Sequence, residues 1–147
     1  MSSMNLNELR DEALRIAVEH GFKDASIGED VALLHSEASE LLEDHRGGAR
    51  PTRVWYESKA SAFDPNGLPL GGDADEGQAK VVLRHREQML VDGVPTRKPC
   101  GIPSELADII IRVLHFSGKH GIDIERAVYE KMAYNRTRPF KHGGKKL

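Results

Sequence analysis

Cys100 is the one cysteine in 147 residues. A lone thiol excludes an internal disulfide and any zinc site built on several cysteines of one chain. No apolar run approaches the length of a membrane span. Met1 to Asn5 holds no basic start leading into an apolar stretch, so no secretory signal is read and the expected location is the cytoplasm. An excess of one charge is also missing. Lys plus Arg number 21 against 23 Asp plus Glu, a net charge of −2, which argues against a stable nucleic-acid complex held by bulk electrostatics. Gly143-Gly144 lies outside any Gly-x-x-x-x-Gly-Lys pattern and is not a phosphate loop. What is present is a chain 39% apolar and 30% charged, of a length that suits a single domain over 1–147.

Helical periodicity dominates both ends. Leu6, Leu9, Ala13, Ile16 and Ala17 repeat at helical spacing, and Gly21 suits the stop. Ser26 and Glu29 have the spacing of a capping box, which predicts a second helix over 27–46 with Val31, Leu34, Ala38, Leu41 and Leu42 as its buried stripe. A third helix is predicted from Pro103, burying Leu106, Ala107, Ile110, Val113 and Leu114. Asp123 is an N-cap for a fourth, over 124–135. Between them, residues 47–101 are rich in glycine and proline and read as an insertion. It has a possible strand at 53–57, an ambiguous segment at 80–91 and a turn-rich, protease-sensitive tip at 64–77. Residues 136–147 form a basic tail.

Two helices carry the same acidic spacing, Glu37-x-x-Glu40 and Glu105-x-x-Asp108. Residues three apart share one strip of a helix. Each strip runs beside an apolar stripe, so side-by-side packing would bring four carboxylates across a cleft. Asp30 and Asp44 lie near the first strip, and Arg112 and His115 continue the second. Such a group is repulsive without a cation. Oxygen ligands alone suit Mg²⁺, with Mn²⁺ as the second choice, and Mg²⁺ commonly meets substrate phosphates. The competing reading of each pair alone is an ordinary solvated helix face. Trp55 reads first as an aromatic anchor of the insertion and second as a stacking surface for a base. Lys131 occupies an apolar-stripe position of the fourth helix, which places its ammonium group toward an interior cleft or, by snorkelling, at the surface.

The segment Leu33-Leu34-His35-Ser36-Glu37-Ala38-Ser39-Glu40-Leu41-Leu42-Glu43 resembles the first metal motif of the MazG-like, all-α nucleoside triphosphate pyrophosphohydrolases. Gly101-Ile102-Pro103-Ser104-Glu105-Leu106-Ala107-Asp108 resembles the second, and the run from Lys131 through Asn135 to Arg138 resembles the Lys-x-x-x-Asn-x-x-Arg element that follows. The resemblance implies an all-α antiparallel bundle of about four helices. It implies Mg²⁺-dependent conversion of a canonical or modified (d)NTP to the monophosphate and pyrophosphate, in a homo-dimer or homo-tetramer. Glu37, Glu40, Glu105 and Asp108 would hold the metal, with Glu40 and Glu37 as the catalytic acids and Glu40 as the base. Lys131, Asn135 and Arg138 would contact the phosphates.

The chain departs from that pattern in two places. Ser36 and Ser104 stand where the family often has the first of two paired acids, and Glu40 and Glu105 are 65 positions apart, far more than a helical hairpin needs. The missing acids leave an alternative of another class, a catalytically silent helical scaffold that binds nucleotide or a protein partner.

Overall fold

The computed structural model describes residues 3–22, 25–61 and 80–139. Its elements run α1 (Leu6–Glu19), α2 (Ile27–Arg46), β1 (Trp55–Ser61), β2 (Lys80–His85), β3 (Leu90–Val91), β4 (Val94–Pro95), β5 (Lys98–Cys100), α3 (Ile102–Lys119) and α4 (Ile124–Thr137). The all-α expectation is therefore wrong, because the described residues include five strands in two antiparallel sheets, which makes this a mixed α/β chain. Residues through Ser36 and from Asp108 onward form one compact unit, and Glu37–Ala107 the other, so the division falls inside α2 and α3.

The first unit is helical. Asn5 caps α1, its Oδ1 accepting from the Glu8 N–H at 2.9 Å while its own N–H donates to Glu8 Oε2 at 2.7 Å. Ser26 and Glu29 close the same reciprocal box on α2, with Ser26 N–H donating to Glu29 Oε2 at 2.7 Å. Asp123 caps α4 by accepting from the Arg126 N–H. The same carboxylate accepts from Asn7 Nδ2 at 2.9 Å, and Arg10 donates to the Ile122 carbonyl at 2.8 Å, so α1 grips the turn ahead of α4. Helices α1 and α3 meet closely at Gly118, where a Cβ would stand 3.0 Å from that of Leu14. Lys119 Nζ donates to Asp30 Oδ2 at 2.9 Å and also to the Ala25 carbonyl, tying the end of α3 to the start of α2.

The second unit is built on a sheet of order β2-β1-β5. Its antiparallel register pairs Tyr56 with His85 and Glu57 with Arg84 on one side, and Trp55 with Cys100 on the other. Of the ambiguous segment 80–91, residues 80–85 form β2, where Val81 and Val82 suit a pleated surface next to a partner strand; the possible helix from Arg84 to Leu90 is absent, and residues 90–91 belong to the β3–β4 hairpin. Strands β3 and β4 form a two-residue hairpin whose turn is Asp92-Gly93, both at positive φ (51° and 80°). That is the primed geometry whose twist matches flanking strands. Gln88 braces the base of the hairpin, donating to the Arg97 carbonyl at 2.9 Å and accepting from the Arg97 N–H at 3.0 Å. The predicted tip at 64–77 lies outside the described residues.

Burial departs from the apolar stripes as read from sequence. Among the described residues the buried apolar side chains are Cys100, Ile102 and Leu114. Val31, Leu42, Leu106 and Ile110, all assigned to the core by periodicity, are exposed, Ile110 at 55%. Periodicity shows which face of a helix is apolar, not what covers it.

Candidate metal centre

Helix α3 begins where β5 ends. The Gly101 carbonyl accepts from the backbone N–H of both Ser104 and Glu105, and Ser104 Oγ donates to the Pro99 carbonyl at 3.0 Å. Ser104 thus fastens the helix start to the strand before it. Glu105 falls in the first helical turn, where the exposed N–H dipoles favour a negative charge. Asp108 follows one turn later on the same helix.

Glu37, Glu105 and Asp108 each offer one carboxylate oxygen, and these oxygens lie within 4.8 Å of one another. Glu37 is 9% exposed and Glu105 7%. All three carboxylates, and Arg112 further along α3, have further polar or electrostatic interactions. Hard oxygen donors at this separation, in a setting that burial makes less forgiving of like charge, fit a small divalent cation.

The other acids named from sequence are elsewhere. Glu40 lies one turn beyond Glu37 on α2, exposed and outside the three-carboxylate group. The Asp30 carboxylate, 7% exposed, is committed to Lys119. Asp44 is half-buried, and its Oδ2 has no hydrogen-bond partner among the described residues. On α3, His115 is 7% exposed with Nε2 likewise without one. It lines a cavity of about 330 Å³ with Arg112, Phe22 and Leu33.

Lys131, Asn135 and Arg138 recur at i, i+4 and i+7, so they share one face of α4, with Arg138 at its C-cap. All three are exposed. Lys131 does not point into an interior. Its ammonium stands 5.7 Å from the Tyr134 ring centroid, and α4 buries no residue.

Sequence reasoning missed a set of basic residues around Trp55. Arg53, Arg84 and Arg86 line a cavity of about 310 Å³ with Asp44 and Trp55. The signal available was the cluster Arg84-His85-Arg86 at the end of β2, two arginines within three residues. Beside it, Trp55 Nε1 donates to Glu57 Oε1 at 3.0 Å, and Arg84 Nε donates to the same oxygen at 3.1 Å. The indole N–H, followed by the Arg84 charge, holds the Glu57 carboxyl below its ordinary range against the opposing effect of burial. Burial is the main cause that pushes the Cys100 thiol up, which makes it a poor nucleophile at neutral pH. Among the described residues no helix is long and apolar enough to cross a membrane. Comparison with family models, with curated proteins and with solved structures finds no match to this chain.

Proposed function

We propose that this protein is a divalent-cation-dependent nucleoside triphosphate pyrophosphohydrolase of the MazG-like kind, acting in the cytoplasm on a canonical or modified (d)NTP. The observation that carries the reading is the group Glu37, Glu105 and Asp108, three carboxylates converging from two helices that bear the acidic spacings. Mg²⁺, or Mn²⁺ in its place, would be held by those three and would supply neutralisation of the charge that builds on the phosphate oxygens. Glu40 lies one turn away and outside the group. In this reading it takes the proton of the attacking water as the α–β phosphoanhydride bond breaks and pyrophosphate leaves with the bonding electrons. The face of α4 carrying Lys131, Asn135 and Arg138 supplies cationic and amide donors for phosphate oxygens.

Incubation with each NTP and dNTP plus Mg²⁺, with pyrophosphate release as the readout, tests this directly. Glu37→Gln and Asp108→Asn are expected to lower turnover by at least a hundredfold and to keep the helical circular dichroism. Mg²⁺ is expected to raise the melting temperature of the parent chain and not of either variant. Normal turnover in either variant would sink the site, and nucleotide binding without any turnover in the parent chain would favour the silent scaffold.

We also propose that the protein acts as a homo-oligomer. Leu106, Ile110 and Ile111 of α3 stand 48%, 55% and 49% exposed, a cost that a second copy would relieve. Light scattering at micromolar concentration is expected to give at least a dimer. A clean monomer of 16.3 kDa, the chain's own mass, would refute this.

A further inference from the structure

Within the Glu37–Ala107 unit, the cavity beside Trp55 has the chemistry of a ligand site. Its volume of about 310 Å³ lies at the lower end of the range of about 300–1,000 Å³ typical of small-molecule pockets. It is a different place from the carboxylate group. Asp44, which lines it, is seven residues from Glu37 along α2, about 10 Å of helix rise.

The charges there do not cancel. Glu43 is paired with Arg46 at 2.7 Å, and Arg84 with Glu57. Arg53 and Arg86 also line the cavity, and among the described residues no hydrogen bond or ion pair engages either guanidinium. Two planar, permanently charged forks on one cavity match the geometry of a phosphate monoester. The lining also carries an aromatic side chain. The Arg84 guanidinium carbon stands 5.2 Å from the Trp55 ring centroid, a cation–π platform of the kind on which bases stack. Asp44 adds a carboxylate to the lining.

Gly101 makes the wall rigid. At φ +103° it packs so closely that a Cβ would stand 2.5 Å from the Arg53 carbonyl oxygen and 2.9 Å from the Trp55 ring. The backbone of Arg53 and the indole are thereby held against one another before any ligand arrives, which lowers the ordering cost of binding.

We propose that this cavity binds a nucleoside monophosphate, with the phosphate on Arg53 and Arg86 and the base on the Trp55–Arg84 platform. The inference does not rest on the hydrolase reading, since none of these residues belongs to the carboxylate group. A nucleoside monophosphate is favoured over a nucleic-acid strand because the arginines line one small recess rather than an extended basic face, in a chain of net charge −2.

Trp55 is the only tryptophan in the chain, so its fluorescence reports the site alone. The full chain carrying Glu37→Gln would be titrated in EDTA with AMP, GMP, CMP and UMP, and heats of binding measured in parallel. At least one of them is expected to bind saturably with a change in Trp55 emission. Arg53→Ala and Arg86→Ala are each expected to weaken it at least tenfold, and Arg86→Lys to fall between, because lysine keeps the charge and loses the fork. Retained circular dichroism of Arg86→Lys guards against misfolding. Silence in both fluorescence and calorimetry at millimolar nucleotide would overturn the proposal. So would inorganic phosphate binding as tightly as the nucleotides, which would make this a plain anion site, or a single-stranded oligonucleotide binding more tightly than any mononucleotide. Because the metal is chelated and Glu37 replaced, failure here leaves the pyrophosphohydrolase reading standing, and the reverse also holds.

Discussion

The two units of this chain are ordered by different physics. In the helical unit, order comes from caps and single polar ties. Asn5 and Ser26 close capping boxes, Lys119 holds Asp30, and Asn7 holds Asp123, while much of the apolar stripe stays exposed. In the sheet unit, order comes from backbone pairing and one close-packed corner at Trp55, Cys100, Gly101 and Ile102. The contrast teaches that a helix can be fully specified by local residues and yet leave its packing open, whereas a short strand exists only because its partner does.

The sharpest way to break the contrast is at Gly101. Gly101→Ala places a Cβ at positive φ against the Arg53 carbonyl and the indole. It is expected to cost roughly 2–4 kcal/mol. In urea, the Trp55 emission midpoint should fall sharply, and the helical circular dichroism midpoint should fall less. A joint shift of equal size would show that the units melt together.

The matching test on the helical side is Lys119→Met. It leaves the Asp30 carboxylate, 7% exposed, without its cation and is expected to cost about 2–3 kcal/mol in a thermal melt. The double variant Asp30→Asn with Lys119→Met should recover most of that loss. No recovery would mean that Lys119 acts through the Ala25 carbonyl rather than through the ion pair.

Acid provides the gentlest probe. The folded Glu57 carboxyl is held below its ordinary range by the Trp55 N–H and then by Arg84. Its contribution is therefore present above about pH 4.3, the ordinary glutamate value, and is lost as pH falls through the folded value. Arg84 is largely exposed, so the effect is screened and roughly 1 kcal/mol or less. Trp55 emission should shift over that acidic range, and Glu57→Gln should remove the shift. An unchanged acid profile in the variant would assign the transition to other carboxylates.

Much of the helical part was legible from local chemistry. Ser26 with Glu29 marks the start of α2 and Gly48, at φ +82°, its end, so the predicted span 27–46 coincides with the helix. Asp123 caps α4 as expected. The hairpin is legible in the same way. Asp92-Gly93 between valines is a strong two-residue turn signal. The β1–β2 pairing was not legible in the same way. Its strands are separated by residues 62–79, and nothing local to Lys59 names Val82 as its partner. Of the four acids with metal-like spacing, three converge and Glu40 does not: residues three apart on a helix still sit about 60° apart around its axis and a turn apart along it, so one of a pair can meet the neighbouring helix while the other misses it.

Sequence alone determined the helix boundaries, the acidic spacings and the balance of charge, because caps, glycine stops and periodicity act within a few residues. Only the tertiary structure decided that 47–101 carries a sheet, that Asp30 is spent on Lys119 and that Glu37 joins Glu105 and Asp108. It also decided that Trp55 stands among arginines. Each of these is a pairing between residues distant in the chain, and such pairings are chosen by the free energy of burying charges and backbone groups together rather than by any local preference.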